Sequence, residues 1–268
     1  MSEKIKDWRT NNWVFDASKP FDLTGKAIIV TGAGSGIGRA ITLGIDSMGG
    51  NVVLADIVEE GMEEVAKELK NDHLTLKVDV TSETDVKNMV KQTLAKFGKI
   101  DGSFNAPAIN FRLPFLELSA DQWTKVWNVN IGGVCLCARE VGKVMVKQKY
   151  GSMVNIASFR GLVGAKEGRQ SIYSASKGAV VILTKCLAAE WGEFNVRVNA
   201  IAPGMTKTPL VTQILKDDAW YNELASMHVL NRFAEPEEMV GAAVFLVSDA
   251  STFVTGTTIL VDGGLTAV

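Results

Sequence analysis

Tyr173 and Lys177 stand four residues apart in the stretch YSASK, and on a helix that spacing puts a phenol and an ammonium on one face. A free phenol, with a pKa near ~10, is a poor proton shuttle at neutral pH. A cation beside it favours the phenolate, which is what general acid/base work by tyrosine requires. The same spacing also serves a packed ring beside a solvated amine. What separates the two uses is a glycine-rich loop far upstream.

Directly after the apolar run KAIIVTG comes TGAGSGIG, residues 31–38, which opens into the helical pattern RAITLGI. Gly32, Gly36 and Gly38, with Ser35 and Ile37 between them, let the backbone approach a pyrophosphate, while the new helix presents unpaired N–H groups and the positive end of its dipole. The spacing is GxxxGxG, so it departs from the generic GxGxxG pattern. A second strand then ends at Asp56 and Ile57, where a carboxylate can accept both ribose hydroxyls and repel a 2′-phosphate. No basic residue interrupts 31–38, so NAD is expected over NADP. Arg39, just beyond the loop, counts the other way. Asp79, ending a third strand, is placed to meet an adenine edge with its side chain or through the Val80 N–H. The run SETD, 82–85, reads as the real start of the next helix.

Short β-rich runs alternate with longer helical patterns, which is the signature of βαβ units. Strands are expected from Lys26, Asn51, Leu74, Gly102, Gly151, Val196 and Thr258, and helical patterns run over 61–70, 84–97, 120–147, 173–191 and 235–246. The expected architecture is α/β: a doubly wound parallel sheet of about seven strands with helices on both faces, in one domain over 23–268. Residues 1–22 form a leader containing Trp8 and Trp13. Residues 205–232 break the rhythm with mixed charge around Trp220 and Tyr221, as a lid over a site or a surface insertion would.

The chain has 268 residues, 47% of them hydrophobic, and a formal net charge of -2, which offers no excess cation for a nucleic-acid backbone. No apolar run reaches the length that spans a bilayer, and residues 1–16 carry neither an apolar core nor a small-residue cleavage site, so a cytoplasmic protein is expected. Cys135, Cys137 and Cys186 lack CxxC spacing and a nearby histidine, and read as buried small residues. His73 and His228 are isolated, which leaves no Ser/His/Asp triad and no metal site.

From about Phe21 to Gly264 the sequence resembles the short-chain dehydrogenases/reductases. The motifs that carry the resemblance occur in order: TGAGSGIG, Asp79 with Val80, Asn130 in NVNIGG, Ser158 in VNIAS, YSASK, and PGMTKT from Pro203. The resemblance implies a Rossmann-type sheet and a catalytic tetrad of Asn130, Ser158, Tyr173 and Lys177. Tyr173 would exchange the substrate hydroxyl proton while hydride moves to or from nicotinamide, and Ser158 would hold the same oxygen. Lys177 would bind the nicotinamide ribose and lower the tyrosine pKa, with Asn130 anchoring a water chain. Pro203 and Gly204 would bring backbone beside the nicotinamide, with Thr206 and Thr208 offering hydroxyls to the carboxamide or the pyrophosphate. Where the family usually carries Asn-Asn-Ala-Gly this chain reads NAPA, 105–108; Asn105 stays in register to meet the adenine ribose or to brace the sheet, while Pro107 and Ala108 reshape the turn.

Substrate residues belong on the loops after the strands. Asn110 and Arg112, Phe159 and Arg160, the run VGAKEGRQS before Tyr173, and Trp220 of the lid segment are the candidates. Arg112, Arg160, Lys166, Arg169 and Lys207 would concentrate an anionic substrate such as a hydroxy acid, unless they pair with acids such as Glu117 or Glu167. The resemblance is strongest to sugar, polyol and sugar-acid dehydrogenases, which implies an NAD-dependent enzyme acting on a polyhydroxylated alcohol or ketone. An NADP-dependent 3-oxoacyl thioester reductase and a non-catalytic nucleotide sensor are the alternatives. Related proteins pair the helices carrying Asn130 and Tyr173 across subunits, so a homo-oligomer, with a tetramer favoured, is expected.

Overall fold

The first strand, β1 (Ala27–Thr31), reads AIIVT with all five residues buried, the near-continuous apolar run that a parallel strand covered on both faces needs. Its side chains divide between two cores, as the two-residue period of a strand dictates. Ile28 and Val30 join Ile41, Ile45 and Leu54 on one side, and Ile29 joins Val53, Met89, Val141 and Met153 on the other. β2 (Asn51–Asp56), β3 (His73–Lys77), β4 (Gly102–Asn105), β5 (Gly151–Ile156), β6 (Val196–Pro203) and β7 (Thr258–Val261) complete a parallel sheet in the order β3-β2-β1-β4-β5-β6-β7. Ile29 pairs with Val53 on one flank and with Ser103 on the other. The strand order turns back between β1 and β4, and in such sheets ligands bind beyond the carboxyl ends of the strands at that switch point.

The structure, a computed structural model, describes residues 18–164 and 169–268. The leader tryptophans Trp8 and Trp13, and Lys166 and Glu167 of the loop before Tyr173, lie outside the described residues.

Helices cover both faces. α1 (Gly36–Ser47) and α9 (Val240–Val247) supply Ile41, Ile45, Ala243 and Val244 to the first core; α2 (Glu59–Ala66) adds Met62 and Val65 beside them. On the other face lie α3 (Glu83–Phe97) and α5 (Val134–Gln148), contributing Val86, Met89, Cys137, Val141 and Met145. α3 starts where expected, with Ser82 Oγ accepting from the Asp85 N–H at 3.2 Å. The helical pattern over 120–147 is divided: α4 (Ala120–Trp127) begins on a capping box of Ser119 with Gln122, and a wide π turn, Asn128–Gly133, joins it to α5. Such turns cluster at functional sites, and Asn130 lies inside this one.

α6 (Ser171–Trp191) carries Tyr173 and Lys177. Against the expectation from apolar run lengths, Ser171–Phe194 is long and apolar enough to cross a bilayer by composition alone. It lies along the sheet instead, burying Val180, Val181, Thr184 and Ala188. The segment 205–232 is less irregular than its sequence reads. It holds α7 (Thr212–Leu215) and α8 (Asp218–Ala225), which close over a small core of Val211, Ile214, Leu224 and Phe233. Among the cysteines only Cys137 is buried, its thiol pushed up to about 12 by desolvation, while Cys135 and Cys186 are exposed. Helical periodicity turns those two away from the buried Val134 and Thr184.

Candidate active site

Where β1 turns into α1 the backbone faces the crevice. Ser35 stands at the N-cap without a side-chain cap bond, so the first N–H groups of α1 are left for a ligand. A Cβ on Gly38 would run into the carbonyl oxygen of Gly32, and only glycine lets the helix pack this closely on its loop. Asp56, ending β2, accepts from the Gly34 N–H through Oδ2 at 2.9 Å and from the Val58 N–H through Oδ1 at 3.1 Å. Its carboxylate is thereby fixed at the cleft wall beside Ile57. Arg39 pairs with Glu68 at 2.8 Å and is not among the wall residues. Asp79 and Val80 also line the cleft; Asp79 Oδ1 accepts from the Thr81 N–H and hydroxyl at 2.8 and 2.7 Å.

Pro203 at the end of β6, Gly204, Thr206 and Thr208 beyond it, and Ala106, Pro107 and Ala108 of the NAPA run also line the cleft. The cleft encloses about 880 Å³, which suits a cofactor with a small substrate. A bare helix N-terminus, a glycine cradle and a strand-end carboxylate fit a nicotinamide dinucleotide. Of the two uses open to Asn105 the structure supports the sheet brace: it is buried and donates from Nδ2 to Asn155 Oδ1 at 2.8 Å. Bracing β4 to β5 is its role, because the pairing Asn105↔Asn155 puts the two amides side by side.

The reacting groups converge at the far end of the same cleft. Ser158, just past β5, accepts from the Arg160 N–H at 3.2 Å and lines the cleft together with Tyr173. Lys177 is buried one turn below, with Nζ donating to the Ile156 carbonyl at 2.7 Å and lying 5.9 Å from the Tyr173 ring centroid. Burial pushes the Lys177 ammonium down to about 8. The Tyr173 phenol is pushed up, contrary to the sequence expectation: burial outweighs the opposing pull of the Ser158 hydrogen bond and of the Arg112 and Arg160 charges.

Asn130 stands behind the wall and not on it. Its Oδ1 accepts from the Ile109 N–H at 2.9 Å, and its Nδ2 donates to the Ile109 carbonyl at 3.0 Å and to Ser176 Oγ at 3.1 Å. Ser176 in turn donates to the Tyr173 carbonyl at 2.7 Å. Through its side-chain amide Asn130 braces the 109–112 loop to the Tyr173 helix. Ser176 went unnoticed in the sequence although it sits inside YSASK. Gly161 was missed as well: a Cβ there would lie 2.7 Å from the Lys177 carbonyl, so the bare backbone seats the Ser158 loop directly on α6.

Of the substrate candidates, Arg112 and Arg160 line the cleft near Tyr173, with Asn110, Phe159 and Gln170. The Asn110 amide nitrogen and oxygen are both buried without a hydrogen-bond partner. Arg169 and Trp220 do not line it. Arg169 is exposed on a left-handed backbone (φ 60) before α6, and the Trp220 ring packs against the small core of Val211, Ile214, Leu224 and Phe233.

The family model described as enoyl-(acyl carrier protein) reductase matches residues 32–266. The 2,5-dichloro-2,5-cyclohexadiene-1,4-diol dehydrogenase of Sphingobium indicum is 42% identical over 250 residues, covering 92% of this chain and 99% of that one. The chain belongs to the short-chain dehydrogenase/reductase family. Other family members match as fully. The 3-oxoacyl-[acyl-carrier-protein] reductase of Thermotoga maritima is 38% identical over 91% of this chain and 98% of its own. A gluconate 5-dehydrogenase of Burkholderia cenocepacia, solved with NADP and tartrate, superposes with a TM-score of 0.87 at 32% identity, covering 94% of this chain and all (100%) of that one. This short-chain dehydrogenase/reductase is therefore an oxidoreductase of the alcohol–ketone type, with a nicotinamide cofactor as the family's hydride carrier.

Proposed function

We propose that the chain is an NAD-dependent oxidoreductase acting on a secondary alcohol that bears further oxygens, such as a ring diol, a polyol or a sugar acid, with Tyr173 as its general acid/base. The observation that carries the reading is that Ser158, Tyr173 and Lys177 line the same cleft as the glycine cradle. When bound, the nicotinamide supplies the hydride acceptor or donor. Tyr173 takes the hydroxyl proton as the C–H electron pair leaves with hydride, and returns a proton to the carbonyl oxygen in the reverse direction. Ser158 holds that oxygen, and the charges of Lys177, Arg112 and Arg160 favour the oxyanion as it develops. With its own pKa pushed up, Tyr173 is protonated at neutral pH and so is ready to act as the acid in reduction.

The polar wall of Asn110, Arg112, Arg160 and Gln170 supports a substrate richer in oxygen than a simple alcohol. Names among the relatives, a ring diol dehydrogenase and a gluconate dehydrogenase, support the same class. NAD is favoured by Asp56 on the wall and by the pairing of Arg39 with Glu68. The thioester reductase relative keeps a second reading in the test. Initial rates with NAD and with NADP over ring diols, sugar acids and polyols, and with NADH and NADPH over a 3-oxoacyl thioester, decide between them: turnover confined to the thioester with NADPH would contradict the proposal. We further infer that the chain assembles as a homo-oligomer through α4, α5 and α6, supported by exposed Trp123, Trp127 and Ile182; a monomeric mass by light scattering at micromolar concentration would contradict this.

A further inference from the structure

The two histidines look isolated in the sequence, yet His228 is buried and both ring nitrogens are engaged. Nδ1 lies 3.1 Å from the Leu224 carbonyl of α8, which can only accept, so Nδ1 carries the hydrogen. Nε2 lies 3.3 Å from the Met205 N–H, which can only donate, so Nε2 is bare. The neighbours therefore assign Nδ1 as the donor and Nε2 as the acceptor. The ring is held in place by Phe233, with ring centroids 5.9 Å apart.

Met205 opens the strap 205–208, which walls the cleft directly after Pro203 and Gly204. Backbone groups hold most of that strap. Gly204 N–H donates to the Val261 carbonyl at 2.9 Å, Ala234 N–H to the Met205 carbonyl at 2.8 Å, and Lys207 N–H to the Ala234 carbonyl at 2.9 Å. The Met205 N–H instead turns to a side chain, and that side chain belongs to the segment following α8.

We propose that His228 is a positioning residue that couples the helical lid to the cofactor-facing strap, acting as a hydrogen-bond acceptor for Met205. The inference rests on the proposal that this cleft holds a nicotinamide cofactor beside Pro203 and Gly204. His228→Leu fills similar space but leaves the Met205 N–H unpaired, so the strap loses its register on the lid. His228→Gln restores an acceptor at the end of a side chain of similar reach, whereas His228→Asn is too short to do so.

The test is NADH titration by fluorescence, with kcat at saturating cofactor and Tm, for wild type and the three variants. His228→Leu and His228→Asn are expected to raise the NADH Kd about tenfold, with His228→Gln within about twofold of wild type, and with kcat at saturation retained in each. His228→Asn carries the comparison if His228→Leu does not fold. A Kd for His228→Leu or His228→Asn equal to that of wild type, His228→Gln as weak as they are, or loss of kcat with Kd unchanged would each overturn the coupling. Wild-type protein that binds neither NADH nor NADPH would overturn the cofactor reading beneath it and the coupling with it.

Discussion

Lys177 donates to the Ile156 carbonyl, 2.7 Å from its Nζ, while that same Nζ stands 5.9 Å from the Tyr173 ring centroid. The lysine stands over the tyrosine ring from a buried position that costs stability. Burial lowers its pKa to about 8 from 10.5. Between those values the unfolded chain binds a proton that the folded chain has released, so stability rises with pH across that window. Below about 8 both states are protonated and the desolvation cost is present in full. The two-to-three-unit depression corresponds to a cost on the order of 3 kcal/mol, part of which reappears in Lys177→Met as the lost donor to Ile156. Lys177→Met should therefore be inactive yet melt a few degrees higher than wild type at pH 7, at roughly 2–4 °C per kcal/mol. The gap should close as the pH approaches 10. Thermal unfolding of both proteins across that range checks it, and a gap independent of pH would contradict the burial cost.

Asn130 joins two segments of the site that the chain separates widely, Ile109 and Ser176. Asn130→Ala leaves the Ile109 N–H and carbonyl facing a buried gap, which should cost about 2–4 kcal/mol and lower Tm by roughly 5–10 °C. Because the 109–112 loop then loses its tie to α6, kcat/KM should fall at least about tenfold, and the Ile109 amide should lose protection from hydrogen exchange. Unchanged protection at Ile109 would contradict the brace.

Asp56 presents the charge that opposes a 2′-phosphate while it also holds the Gly34 and Val58 N–H groups. Asp56→Asn keeps an acceptor and removes the charge. The ratio of kcat/KM for NAD over NADP should fall about 10- to 100-fold, mostly through KM. An unchanged ratio would assign cofactor choice to residues other than this carboxylate.

Much of this was legible in the sequence because the signals are local. The apolar runs of β1 and β5 are strands wherever they occur, and TGAGSGIG is a strand-to-helix turn on its own evidence. Ser158, Tyr173 and Lys177 also arrive together because Ser158 follows the end of β5 and the other two share the first turns of α6. What could not be read depends on contacts between distant segments. The ties of Asn130 to Ile109 and Ser176 appear only once those segments meet, and of the two uses open to Asn105 the sheet brace stands out only when β5 brings Asn155 beside it. Trp220 and Arg169 failed as substrate residues for a related reason. A segment's composition does not say which of its side chains turns inward, and Trp220 found apolar neighbours in the small core with Ile214 and Leu224. The sign of the Tyr173 shift was also out of reach, since it depends on how deeply the helix buries the ring.

The most direct test of the central claim is NAD-dependent oxidation of ring diols and sugar acids, followed by nicotinamide absorbance, in wild type and Tyr173→Phe. The substitution removes one hydroxyl and leaves the ring that packs the cleft. The account predicts wild-type turnover on at least one of these classes, a loss of about 10²–10⁴-fold in kcat for Tyr173→Phe, and an NADH Kd within about threefold of wild type. A Tyr173→Phe protein that turns over the same substrate at the wild-type rate would contradict it.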